Sequence, residues 1–78
     1  MTPQNIETCI REKLENYFRD LEGETPHHLH DMVIRLVEKP VLELVMQKAD
    51  NNQSRAAEWL GLNRNTLRKK LVEHGLIA

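Results

Sequence analysis

The stretch NQSRAAEWLGLNRNTLRKKL, residues 52–71, decides how the chain is read. Two short helices are legible around it, 53–60 and 64–73, joined by the tight turn Gly61-Leu62-Asn63. Such a pair can cross closely only where a small side chain stands at the crossing, and Ala57, with Ala56 beside it, meets that need. The turn requires a residue tolerant of positive φ, which Gly61 supplies four positions later. Leu60, Leu62, Leu67 and Leu71 are spaced to pin the two helices together. Asn63 can cap the second helix by accepting a hydrogen bond from a backbone N–H near Thr66. The spacing predicts a helix-turn-helix over residues 53–73, with Gly75 closing its last helix.

The last helix then presents Arg64, Asn65, Thr66, Arg68, Lys69 and Lys70 outward. In this geometry the first residues of the second helix reach base edges in a major groove. Arg64 suits a bidentate contact with guanine O6 and N7. Thr66, Arg68 and Lys69 lie within one turn and can reach bases or phosphate, while Lys70 reads as a phosphate contact. Asn52 and Ser54, at the start of the preceding helix, can bond phosphate together with that helix's free N–H groups. A run such as Arg68-Lys69-Lys70 alone is usually a solvated helix end; it gains meaning from its place after Arg64 and Thr66.

The formal net charge of −1 conceals an asymmetry that supports this reading. Residues 1–50 hold six Lys and Arg against ten Asp and Glu, whereas residues 51–78 hold five against two. An acidic body therefore carries a basic contact end. Aromatic residues make up only 4% of the chain, too few for a platform that stacks single-stranded bases.

Upstream, apolar residues at Ile6, Cys9, Ile10, Leu14, Tyr17, Phe18 and Leu21 recur every three or four positions, predicting a helix over 6–21 with Asn5 as its cap. Gly23 and Pro26 break the pattern. A second helix is predicted over 28–49, with apolar positions from Leu29 to Ala49 that Ile34, Leu42 and Met46 widen. Pro40 stands inside it, and because the pattern keeps its phase across the proline, one bent helix is expected rather than two. Two helices cannot cover stripes this broad, and a chain of 78 residues sits near the limit of what one core can hold. A second copy would bury them in a four-helix core across a two-fold axis. The expected fold is all-α: four helices in a single domain spanning 1–78, with residues 6–49 as dimerisation helices and 53–73 as the helix-turn-helix.

The stretch 52–71 resembles the Fis family of bacterial nucleoid proteins, whose module also ends many bacterial enhancer-binding activators. ENYF at 15–18 and EKPVLELVMQ at 38–47, with its helix-interior proline, are similar to the Fis dimer body. The resemblance covers nearly the whole chain. It implies a homodimer with recognition helices set closer than one turn of straight DNA, hence bending and loose, largely indirect specificity. By position it places DNA contacts on Asn52, Ser54, Asn63, Arg64, Thr66, Arg68, Lys69 and Lys70. Fis of the enteric type has an N-terminal extension whose mobile β-hairpin arms activate site-specific recombinases. This chain starts almost directly at its first helix, so the resemblance does not carry that activity over. Asn65 also replaces a glycine of the enteric type.

Other residues read plainly. His27, His28 and His30 belong to a solvated loop and helix start rather than a metal site, and His74 reads as exposed or as a weak phosphate neighbour. Cys9 reads as a small buried hydrophobe, Tyr17 and Phe18 as core, and Trp59 as packing at the edge of the helix pair. With one cysteine there is no internal disulfide. No phosphate-cradling glycine loop, paired-carboxylate site or nucleophile–base arrangement is present, so neither an enzyme nor a cofactor is expected. With no apolar run long enough for a membrane and no leader pattern, the chain reads as soluble and cytoplasmic, and the Fis resemblance implies association with the nucleoid. Its expected partners are double-stranded DNA and a second copy, with RNA polymerase as a further candidate. The rival readings are the isolated DNA-binding tail of an enhancer-binding activator and a helical adaptor whose basic face binds an acidic protein.

Overall fold

The computed structural model describes residues 3–78. Four helices follow in order: α1 (Pro3–Asp20), α2 (Leu29–Lys48), α3 (Gln53–Leu60) and α4 (Arg64–Glu73), with no strand among the described residues. The fold is all-α, as the periodicity predicts. α1 begins earlier than its apolar pattern suggests, because Pro3 enters as the first helical residue, where its missing N–H has no intrahelical role. Asn5 therefore lies inside the helix instead of capping it. α2 runs unbroken through Pro40, so the pattern that keeps its phase across the proline belongs to a single helix. The proline has no N–H to offer the carbonyl of Leu36.

Three helices end in the same way. The N–H of Asn51 bonds the carbonyl of Met46 at 2.8 Å and that of Asp50 bonds Gln47 at 3.2 Å. Leu62 bonds Ala57 at 2.9 Å and Gly61 bonds Glu58 at 3.2 Å; Leu76 bonds Leu71 at 2.8 Å and Gly75 bonds Val72 at 3.0 Å. This doubled closure is the Schellman turn, which satisfies carbonyls that a helix end leaves open. Gly61 adopts the left-handed conformation it requires at φ 72° without a Cβ penalty. α2 instead uses two polar residues, Asp50 and Asn51, at φ 54° and 61°. The turn after α4 folds Leu76 back onto the core.

That core is small and lies wholly in the C-terminal half. Leu42, Met46 and Ala49 from the end of α2 and its cap meet Ala56 and Ala57 of α3 and Leu67 and Leu71 of α4. Each of the three fully buried leucines contributes about 1.5–3 kcal/mol by leaving water. No side chain of α1 belongs to this cluster among the described residues. Phe18 and Cys9, expected inside, are exposed in the single chain; Cys9 lies at the edge of an open groove that α1 shares with α2.

α2 carries two apolar faces where the sequence pattern reads as one broad stripe. Leu42, Met46 and Ala49 face α3 and α4. Leu36, Val37, Val41 and Leu44 lie on the other side and are exposed, Leu36 to 67%. α1 and the first half of α2 share an apolar groove of about 210 Å³ between Ile10, Leu14, Met32, Val33 and Val37. The radius of gyration is 15.1 Å, against about 11–12 Å for a compact domain of this length. The excess reflects an N-terminal half that extends away from the core.

Candidate nucleic-acid interface

The α3–α4 pair owes its geometry to three local devices. Ala56 and Ala57 are buried at the contact between α3 and the rest of the core, where a larger side chain would force the helices apart. The Schellman turn at Gly61 ends α3 sharply. Asn63, in extended conformation, then starts α4: its Oδ1 accepts the N–H of Asn65 at 2.8 Å, one residue before the position expected from the sequence. α3 starts in the same manner, with Asn52 Oδ1 accepting the N–H of Arg55 at 3.0 Å. Asn52 is thus a helix cap as well as a candidate phosphate ligand.

Seven of the eight candidate residues are exposed: Asn52 and Ser54 at the start of α3, and Asn63, Arg64, Thr66, Arg68 and Lys69 at the start of α4 and along it. Arg64, Arg68 and Lys69 have no acidic partner among the described residues, and neither does Arg55, an exposed α3 cation that the sequence reading passed over. Neither helix has an acidic residue in its first turn. Arg64 thus sits at the positive end of a helix dipole with nothing to neutralise it, an arrangement unfavourable by itself and favourable once an anion arrives. Arg64 and Arg68 are four residues apart, hence neighbours on one face of α4. Trp59 is 55% exposed on α3, further from the interior than the edge position expected of it.

Lys70 departs from the expected outward placement. Its Nζ donates to Glu38 Oε2 at 2.9 Å, and the other oxygen of Glu38 meets Nε2 of His74 at 2.9 Å. The His74 side chain, expected at the surface, is 5% exposed. A carboxylate can only accept, so Nε2 carries the hydrogen. The bond from Lys70, and after it that from His74, hold the Glu38 carboxyl below its ordinary value of 4.5 against the opposing effect of burial. Glu38 stands one turn before Leu42 on the same face of α2. An acid continuing an apolar row was the available signal for this cluster, and its partners, more than thirty residues away, leave no trace in local periodicity.

Comparison with known proteins agrees with this geometry. The sequence profile described as "Bacterial regulatory protein, Fis family" matches residues 33–74. A Fis-like DNA-binding protein of Ralstonia nicotianae is 57% identical over 77 residues, covering 99% of this chain and 100% of that protein. A protein of the same description from Neisseria meningitidis is 55% identical over 76 residues, covering 97% of this chain and 96% of its own length. The DNA-binding protein Fis of Proteus mirabilis is 41% identical over 76 residues, covering 97% of this chain and 78% of its own.

Proposed function

The chain belongs to the Fis family of bacterial regulatory proteins, and from that premise we propose that it binds and bends double-stranded DNA as a homodimer, acting as a nucleoid-associated regulator of transcription. The observation that carries the reading is the cationic face of α4. Arg64, Arg68 and Lys69 are exposed and have no acidic partner among the described residues, at and beyond the positive end of a helix that Asn63 and Gly61 hold in helix-turn-helix geometry. Arg64 reads base edges and Thr66 assists it. Asn52, Ser54, Asn63, Arg68 and Lys69 position the protein on phosphates. The role is one of binding, with regulation as its outcome, rather than catalysis.

The second apolar face of α2 supports the homodimer. Leu36, Val37, Val41 and Leu44, with Ile6 and Phe18 of α1, are large apolar side chains left exposed in the single chain, the kind of surface that an interface covers. A second copy placed on it would complete a four-helix core and set two α4 helices against one duplex. Two readers closer than a helical turn require the duplex to curve, which selects sequences by deformability. RNA polymerase is the candidate protein partner of a regulator bound in this way, and the nucleoid of the cytoplasm its place of action.

A gel-shift series with circularly permuted fragments tests affinity and bending together. The expected result is retardation that weakens with salt and varies with the position of the site in the fragment. Failure to retard any duplex at low ionic strength would remove the reading.

A further inference from the structure

We infer that Glu38 is a positioning residue for α4, which withholds Lys70 from the DNA-contacting cations and sets how α4 is rolled against α2. The inference rests on the DNA-binding reading above and adds an internal counter-charge to it. The contacts between Leu42 and Met46 on α2 and Leu67 and Leu71 on α4 are apolar. Burial of Leu67 and Leu71 sets which face of α4 turns inward, but apolar contacts have no preferred direction and leave the fine adjustment of its roll to directed bonds. Glu38 adds direction: its two oxygens take two donors one turn apart, Lys70 on α4 and His74 at its C-cap, each at 2.9 Å.

Burial distinguishes this cluster from an incidental surface pair. The side chains of Lys70, Glu38 and His74 are 31%, 23% and 5% exposed. The Arg11–Glu7 pair on α1, 3.3 Å long with both side chains about 70% exposed, is the kind that contributes little. Charge-assisted bonds from two donors, shielded from water, bind an orientation more firmly. Roll matters here because Arg64 and Arg68 share one face of α4, and a site holds its geometry only when its supporting contacts fix it to within about 10–20°. A charge already matched by Glu38 also displaces no counterion when DNA arrives.

The test is the dependence of binding on salt, measured with the full chain on a mixed-sequence duplex and on a duplex selected from random sequence for tight binding. Lys69→Met removes a phosphate contact and flattens the log–log slope by about 0.9 per subunit. Lys70→Met, which keeps the apolar stem and so the packing, leaves the slope unchanged. It lowers the preference for the selected duplex by about tenfold, comparable to a mismatched base pair. Glu38→Gln steepens the slope by about 0.9 per subunit as Lys70 is released, and this gain is absent from the Glu38→Gln/Lys70→Met double variant. Flattening by Lys70→Met equal to that of Lys69→Met overturns the inference, as does a Glu38→Gln effect that persists without Lys70. A wild-type protein without salt-dependent binding instead overturns the DNA reading itself.

Discussion

Glu38 and His74, thirty-six residues apart in sequence, meet at 2.9 Å, with Lys70 on the second oxygen of the same carboxylate. Because these bonds lower the folded-state titration of Glu38, their contribution to stability is complete above its ordinary value of 4.5 and disappears as pH falls through the lower folded value. Wild type should therefore melt higher than Glu38→Gln at neutral pH, and the gap should close on acidification below 4.5. Trp59, the single tryptophan, lies on α3 and can report the melt by its fluorescence. A gap that stays constant down to about pH 3 would show that the carboxylate contributes nothing.

Arg64 stands at the first position of α4, exposed and without an acidic partner among the described residues. Arg64→Ala is expected to weaken binding to a preferred duplex by about 1–3 kcal/mol and to relax base preference, while mixed-sequence binding changes less. Titration of both duplexes at one salt concentration decides it. Equal losses on both would make Arg64 a phosphate contact instead.

Gly61 adopts φ 72°, yet a Cβ built there meets nothing within 4 Å. A side chain at this point therefore costs backbone strain and no steric clash. Gly61→Ala should destabilise the fold by about 1–2 kcal/mol, and Gly61→Asn by less, because asparagine tolerates the left-handed region. Urea denaturation of the three proteins gives the ranking. A loss well above that range would point to crowding that the turn does not show.

Leu36 is exposed in the single chain, so a charge there costs the protomer little. In a dimer the same charge would be buried without a partner, at about 3–5 kcal/mol. Leu36→Glu should shift sedimentation from dimer to monomer, keep the helical circular dichroism of α2 to α4 and reduce affinity for DNA. A Leu36→Glu protein that remains dimeric would move the interface to another face.

Much of the C-terminal half was legible because its determinants are local. Gly61, Asn63 and Gly75 act through hydrogen bonds spanning five residues or fewer, so their roles follow from residue type and spacing. The same holds for the small residues at Ala56 and Ala57. The faces of α2 were harder to read. A 3.6-residue period identifies apolar rows but not which row meets which neighbour, so Leu42 and Met46 read as the margin of a stripe when they are its buried centre. Lys70 and His74 were placed outward because their partner comes from α2, and sequence spacing on α4 carries no information about it. Phe18 illustrates the same limit, since its burial would require a neighbour that no pattern within the chain can supply.

Among the described residues, every fully buried side chain comes from between Leu42 and Leu71. The segment that handles the ligand thus owns its interior, and the first helix lends it none. Evolution can exchange what lies upstream, whether a pairing helix or an unrelated regulatory unit, without redesigning the packing beneath the basic face. Modularity of this kind is a property of where the leucines are, and the family profile, which begins at residue 33 and ends at 74, follows nearly the same outline.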